Sequence, residues 1–166
     1  MKIERRTLRS EVEHRSAGSG RRLIIGYAYK FRSLSQDLGG FREQIIEGSS
    51  RQSIAKDDVR ALFNHDPNFV LGRNRAGTLR MAEDSTGLHY EVDADERISY
   101  VRDLLLSLER GDISQSSFGF RVKLDGQEWS VSDDGSTPLR SITQMTLVDV
   151  SVVTYPAYLN SESAAA

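Results

Sequence analysis

Over most of the chain apolar and polar positions alternate, and in one stretch the period becomes helical. Residues 1–8 are short, charged and partly alternating, which predicts an edge strand. Residues 15–20, Arg-Ser-Ala-Gly-Ser-Gly, predict a flexible connection. Residues 23–29 are β-branched and aromatic, and Gly26 among them predicts a bulge or a close backbone approach. After a turn ending in Asp37-Leu38-Gly39-Gly40, residues 41–46 read as a strand. Ser49 or Ser50 is placed to cap a short helical turn before Ile54. Residues 59–65 form a strand-like run that Asp66-Pro67 stops, and residues 78–82 and 88–92 flank a polar loop as a hairpin.

The helical stretch is residues 98–108. Ile98, Val101, Leu104, Leu105 and Leu108 make one apolar stripe, with Asp95 as N-cap and Gly111 as stop. Strands follow at 117–124 and 128–131, then a turn at 133–138. Residues 139–153 are rich in Thr, Val and Ile and predict one long strand or two broken ones, ended by Tyr155-Pro156. Many short strands around one good helix predict a mostly-β domain with helices (α+β), a bent or closed β-barrel flanked by helices. Residues 1–159 would form this single domain and 160–166, which lack core residues, a flexible tail.

Composition narrows the chemistry. The 166 residues hold no cysteine, which excludes disulfides, thiolate metal sites and a cysteine nucleophile. A net charge of −2 argues against a general nucleic-acid partner. No apolar run approaches the ~18 residues of a membrane span and no signal peptide opens the chain, so the expectation is a soluble, intracellular protein without a membrane partner. With His14, His65 and His89 as the whole histidine supply, no metal and no cofactor is expected.

Three residues break the local pattern. His65 follows Val59, Ala61 and Phe63 on alternation, so it would point where the apolar side chains point, at a strand end. Ser117 shares a face with Gly119 and Arg121, while Ser116, Phe118, Phe120 and Val122 take the other. A serine beside a glycine leaves room for a substrate backbone. Asp149 stands among Leu147, Val148 and Val150, where a carboxylate needs a partner, either an arginine or a histidine it orients. Together they offer a base, a nucleophile and an orienting acid.

The stretches Ala61-Leu62-Phe63-Asn64-His65-Asp66, Val70-Leu71-Gly72-Arg73, Gly77-Thr78-Leu79, Ser117-Phe118-Gly119-Phe120-Arg121-Val122 and Leu147-Val148-Asp149-Val150-Ser151-Val152-Val153 stand in order along the chain. In that order they resemble the tailed-bacteriophage prohead (procapsid maturation) serine proteases, from about Gly26 to Tyr158. The resemblance implies a fold like the herpesvirus assembly proteases. It implies a serine endopeptidase that cleaves scaffold or capsid-protein extensions, and often itself, inside a procapsid in the bacterial host cytoplasm. The implied partners are the major capsid protein with its scaffold segment, and by the herpesvirus analogy a second copy in a homodimer. The family histidine falls on His65, the serine on Ser117 rather than Ser116, and the acid on Asp149, where the family commonly has glutamate. Arg73 and Arg121 are candidates to hold an oxyanion water, Arg121 the better because it shares the Ser117 face. The rival readings are a non-catalytic capsid-assembly module of the same fold and a serine hydrolase acting on other esters or amides.

Overall fold

A computed structural model of the chain describes residues 2–6, 12–17, 21–133 and 135–155. The expected tail, 160–166, lies outside them, as do residues 18–20 of the expected connection and the ends of the first expected strand. The described strands are β1 (Glu4–Arg6), β2 (Val12–Ala17), β3 (Arg21–Lys30), β4 (Arg42–Ile45), β5 (Arg60–Phe63), β6 (Asp66–Arg73), β7 (Leu79–Glu83), β8 (Gly87–Ala94), β9 (Gln115–Val122), β10 (Gln127–Val131), β11 (Pro138–Ile142) and β12 (Met145–Val153). Among the described residues, two helices, α1 (Arg51–Lys56) and α2 (Ser99–Arg110), and a 3-10 turn (Asn74–Ala76) accompany them.

The strands form three sheets, in the orders β1-β9-β12-β5-β6, β2-β3-β8-β7 and β10-β11-β4. The mostly-β, α+β expectation agrees with this. The barrel does not: among the described residues β1 and β6, and β2 and β7, remain unpaired edges, and a barrel requires its edges to meet. Instead β3 of the four-stranded sheet packs on β9 of the five-stranded one, and β8 on β6. At that contact the Tyr29 ring lies 4.8 Å from Phe118, which stacks on Phe120 at 5.0 Å. All three side chains are buried. Fully burying a phenylalanine contributes about 1.5–3 kcal/mol, so this aromatic row anchors β9.

Gly26 answers to the expected close approach, since a Cβ there would lie 2.9 Å from the Tyr90 hydroxyl. In α2, Val101, Leu104, Leu105 and Leu108 are buried, and Gly111 ends the helix in the left-handed region at φ 78°. Ile98 departs from the stripe. It precedes the helix and is 38 % exposed. Asp95 does not cap α2 either, because its Oδ1 accepts the Arg97 N–H at 3.0 Å and closes a turn before the helix begins. Ser50 does stand at the N-cap of α1, but its hydroxyl donates to Glu83 Oε1 at 2.9 Å rather than accepting from the helix.

Two strands lie where alternation predicts none. β2 takes residues 15–17 of the expected connection, its polar sequence supported by pairing with β3. β6 begins at Asp66-Pro67, where the previous strand was expected to stop. Proline is tolerated because β6 is an edge that pairs only with β5. Residues 139–153 resolve into two strands placed in different sheets, β11 and β12.

Candidate active site

β12 lies between β9, antiparallel to it, and β5, parallel to it. In that register Ser117 stands opposite Ser151, and Gly119 opposite Asp149. A bulge makes this possible. Leu147 pairs with Phe120, but the next paired residue is Asp149, with Val148 left over. The extra residue turns Asp149 away from the core face that Leu147 occupies and onto the Ser117 face.

His65 arrives from the other side. Asn64 and His65 form the turn between β5 and β6, with φ of 53° and 56°. Two successive left-handed residues make the tight hairpin that matches strand twist, and asparagine is favoured there. Asn64 also latches the turn to the end of β12. Its N–H donates to the Val152 carbonyl at 2.8 Å, its Nδ2 to Thr154 Oγ1 at 3.1 Å, and its Oδ1 accepts the Thr154 N–H at 2.9 Å. The expectation that His65 continues the Val59, Ala61, Phe63 face is therefore corrected. His65 is a turn residue, and register shifts at Leu62 and Phe63 break the alternation before it.

These placements bring the three residues into one chain of hydrogen bonds. His65 Nδ1 is 2.6 Å from Asp149 Oδ1, and His65 Nε2 is 2.7 Å from Ser117 Oγ. Asp149 is 4 % exposed, and its Oδ1 also accepts the Ser151 hydroxyl at 2.7 Å. With Nδ1–H donating to the carboxylate, Nε2 presents its lone pair to Ser117. Gly119 leaves room for the acid, since a Cβ there would lie 2.3 Å from Asp149 Oδ2. The adjacent Ser116 points the other way. Its Oγ meets the Tyr90 hydroxyl at 2.8 Å in the core, where burial pushes the tyrosine phenol above its ordinary value.

A cleft of about 470 Å³ opens beside His65 and Asp149 and is lined by Arg5, Leu62, Arg121 and Thr146 among others. Of the two arginine candidates, Arg121 lines this cleft. Arg73 is held by Asp58 through Nε–H to Oδ1 at 2.7 Å and a second bond to Oδ2. The hydrogen bonds from Arg73 hold the Asp58 carboxyl well below its ordinary value, at about 2. Among the described residues no cluster of three or more metal-ligating side chains occurs. Sequence reasoning passed over Asn64, Ser151 and the Val148 bulge. Ser151 had a visible signal, two residues from Asp149 and so on its face of the strand. The bulge had none.

A family model described as caudovirus prohead serine protease matches residues 10–166 of the chain. The chain belongs to that family, and so to the serine peptidases of phage proheads. No curated protein and no solved structure matches it.

Proposed function

We propose that this family member is a serine endopeptidase in which Ser117 is the nucleophile, His65 the general base and acid, and Asp149 the residue that orients His65. Its substrates are scaffold or capsid-protein extensions, and its own chain, inside the assembling procapsid in the host cell. The observation that carries the reading is the unbroken chain Ser117 Oγ to His65 Nε2 to Asp149 Oδ1, at 2.7 and 2.6 Å.

The chemistry follows from those contacts. As Ser117 Oγ bonds to the peptide carbonyl carbon, its proton passes to His65 Nε2, and Asp149 stabilises the imidazolium that forms. The C–N bond then breaks, and the leaving amine takes the proton from Nε2. Water attacks the acyl-serine ester, His65 takes its proton, and the carboxylic acid leaves as Ser117 regains its hydrogen. An imidazolium that exists only during transfer makes the Asp149 contact stronger in the transition state than at rest.

Mass spectrometry of the wild-type chain, incubated alone and with its capsid protein, beside Ser117→Ala, tests this reading. Cleavage by wild type and none by Ser117→Ala is expected. Intact chains in both samples would favour a non-catalytic assembly module, and cleavage of small esters alone a different hydrolase.

A further inference from the structure

β1 lies against the active site in an unusual relation to Ser117. It pairs antiparallel with the edge of β9, Arg6 opposite Phe118, Arg5 opposite Gly119 and Glu4 opposite Phe120. The Arg6 carbonyl oxygen lies 3.0 Å from Ser117 Oγ. Ser117 has one hydroxyl hydrogen, and the Arg6 carbonyl and His65 Nε2 are both within reach of it. The family match begins at residue 10, after β1, so the β9 edge belongs to the matched region and β1 does not.

The side chains extend the relation. Arg6 leaves the strand on the Phe118 and Phe120 side, with its guanidinium carbon 5.6 Å from the centre of the Phe120 ring. It donates through Nε to Glu43 Oε1 at 2.9 Å and, more distantly, through Nη2 to Oε2 at 3.4 Å. Glu43, on β4, is 3 % exposed and is also held by Arg140 at 3.0 Å. Burial raises the Glu43 carboxyl above its ordinary value, while the two guanidiniums pull it down. Glu4, two residues before Arg6, accepts from Nη1 and Nη2 of Arg140 at 2.8 and 3.1 Å. The four charges, Glu4, Arg6, Glu43 and Arg140, balance. Without β1, Glu43 loses its second cation and Arg140 its second anion.

We infer that β1 occupies the groove of a substrate strand, and that Glu43 and Arg140 select a Glu-x-Arg sequence whose arginine supplies the carbonyl facing Ser117. A peptide would add to the β9 edge by main-chain hydrogen bonds, and side-chain pockets would read alternate residues. Glu43 fits the arginine because a fixed carboxylate meets a guanidinium fork at two points, which a lysine or an apolar side chain does not reproduce. The same contact makes β1 an intramolecular competitor for that groove.

This inference rests on Ser117 being the nucleophile, so its test separates the two. Full-length wild type, Arg6→Ala and Glu43→Gln are reacted with diisopropyl fluorophosphate and with two peptidyl diphenyl phosphonates, Glu-Arg-Arg and Glu-Arg-Leu. Arg6→Ala, its groove vacated, should react with the arginine probe faster than wild type does, and about tenfold or more faster than with the leucine probe. In Glu43→Gln the two probes should react at similar rates. Equal rates for both probes in Arg6→Ala, with fluorophosphate labelling intact, would overturn this inference alone. An arginine preference that survives in folded Glu43→Gln would overturn the role of Glu43. No labelling of Ser117 by the fluorophosphate in any chain would overturn the nucleophile reading and this one with it. Should Glu43→Gln fail to fold by circular dichroism, the two-probe comparison in Arg6→Ala decides.

Discussion

The two faces of β9 carry adjacent serines in opposite circumstances. Ser116 and Ser117 are both fully buried. Ser116 sits on the face of Phe118 and Phe120, its hydroxyl closed against Tyr90 among aromatic rings. Ser117 sits on the face of Gly119, its hydroxyl against an imidazole that a carboxylate holds. Burial and residue type are the same, so neither marks a nucleophile. What distinguishes them is the imidazole within reach of Ser117, together with the small Gly119 that leaves room for Asp149.

Exchanging the two serines one at a time is the sharpest way to break that contrast. Ser117→Ala should lower turnover by ~10⁶-fold if it acts as a triad nucleophile, with the fold kept. Ser116→Ala should keep turnover and instead lose ~1–3 kcal/mol of stability, because the buried Tyr90 hydroxyl is left without its partner. Denaturant unfolding and peptide cleavage, measured on both variants, check the pair. Equal turnover in wild type and Ser117→Ala would move the nucleophile elsewhere.

Asp149→Asn should fold and lose ~10⁴-fold in turnover through the wrong imidazole tautomer. Asp149→Glu should keep partial activity if the strand accommodates one more methylene. Near-normal turnover in a folded Asp149→Asn would leave a Ser117–His65 dyad. Gly119→Ala extends the contrast to the small neighbour. Its Cβ would meet Asp149 Oδ2, and a misplaced orienting acid should lower turnover by ~10²-fold. A fully active Gly119→Ala would show that Asp149 yields without consequence.

At the cleft rim the expected effect is smallest. Asp58, paired with Arg73, has its carboxyl held down to about 2. A depressed carboxyl adds stability above its unfolded value, near ~3.9, and loses that contribution as the pH falls through about 2. A carboxyl NMR titration of Asp58 should therefore show a midpoint well under that of Arg73→Ala. Coincident midpoints would detach Asp58 from Arg73.

Much of this was legible in the chain. Alternation alone separated Ser117 from Ser116, because a strand's period of two is local and needs no partner. The α2 stripe of Val101, Leu104, Leu105 and Leu108 was visible for the same reason, in the helical period. Asp149 among β-branched residues announced a buried carboxylate that needs a partner. Where local chemistry competed, the reading slipped. Asp95 served a turn instead of a helix cap, and β2 and β6 are strands supported by their neighbours rather than by an alternating pattern of their own.

What the tertiary structure decided is which strands lie together and which way their side chains finally point. Local alternation assigns a face but names no neighbour, and β5, β9 and β12 meet because distant apolar residues bury one another. His65 and Asp149, 84 residues apart, became partners through that pairing. Two irregularities then aimed them, the left-handed turn at Asn64 and His65 and the extra Val148 in β12. A bulge or a positive-φ pair reverses the face that periodicity predicts, and each is stabilised by contacts across the fold, such as Asn64 with Thr154. The seats of Arg6 on Glu43 and of Glu4 on Arg140 arose the same way, from strands of two different sheets. The sequence by itself determined which residues could do the chemistry, because residue type and period are local. Only the tertiary structure decided that they stand together, because proximity across the chain depends on burial shared by the whole domain.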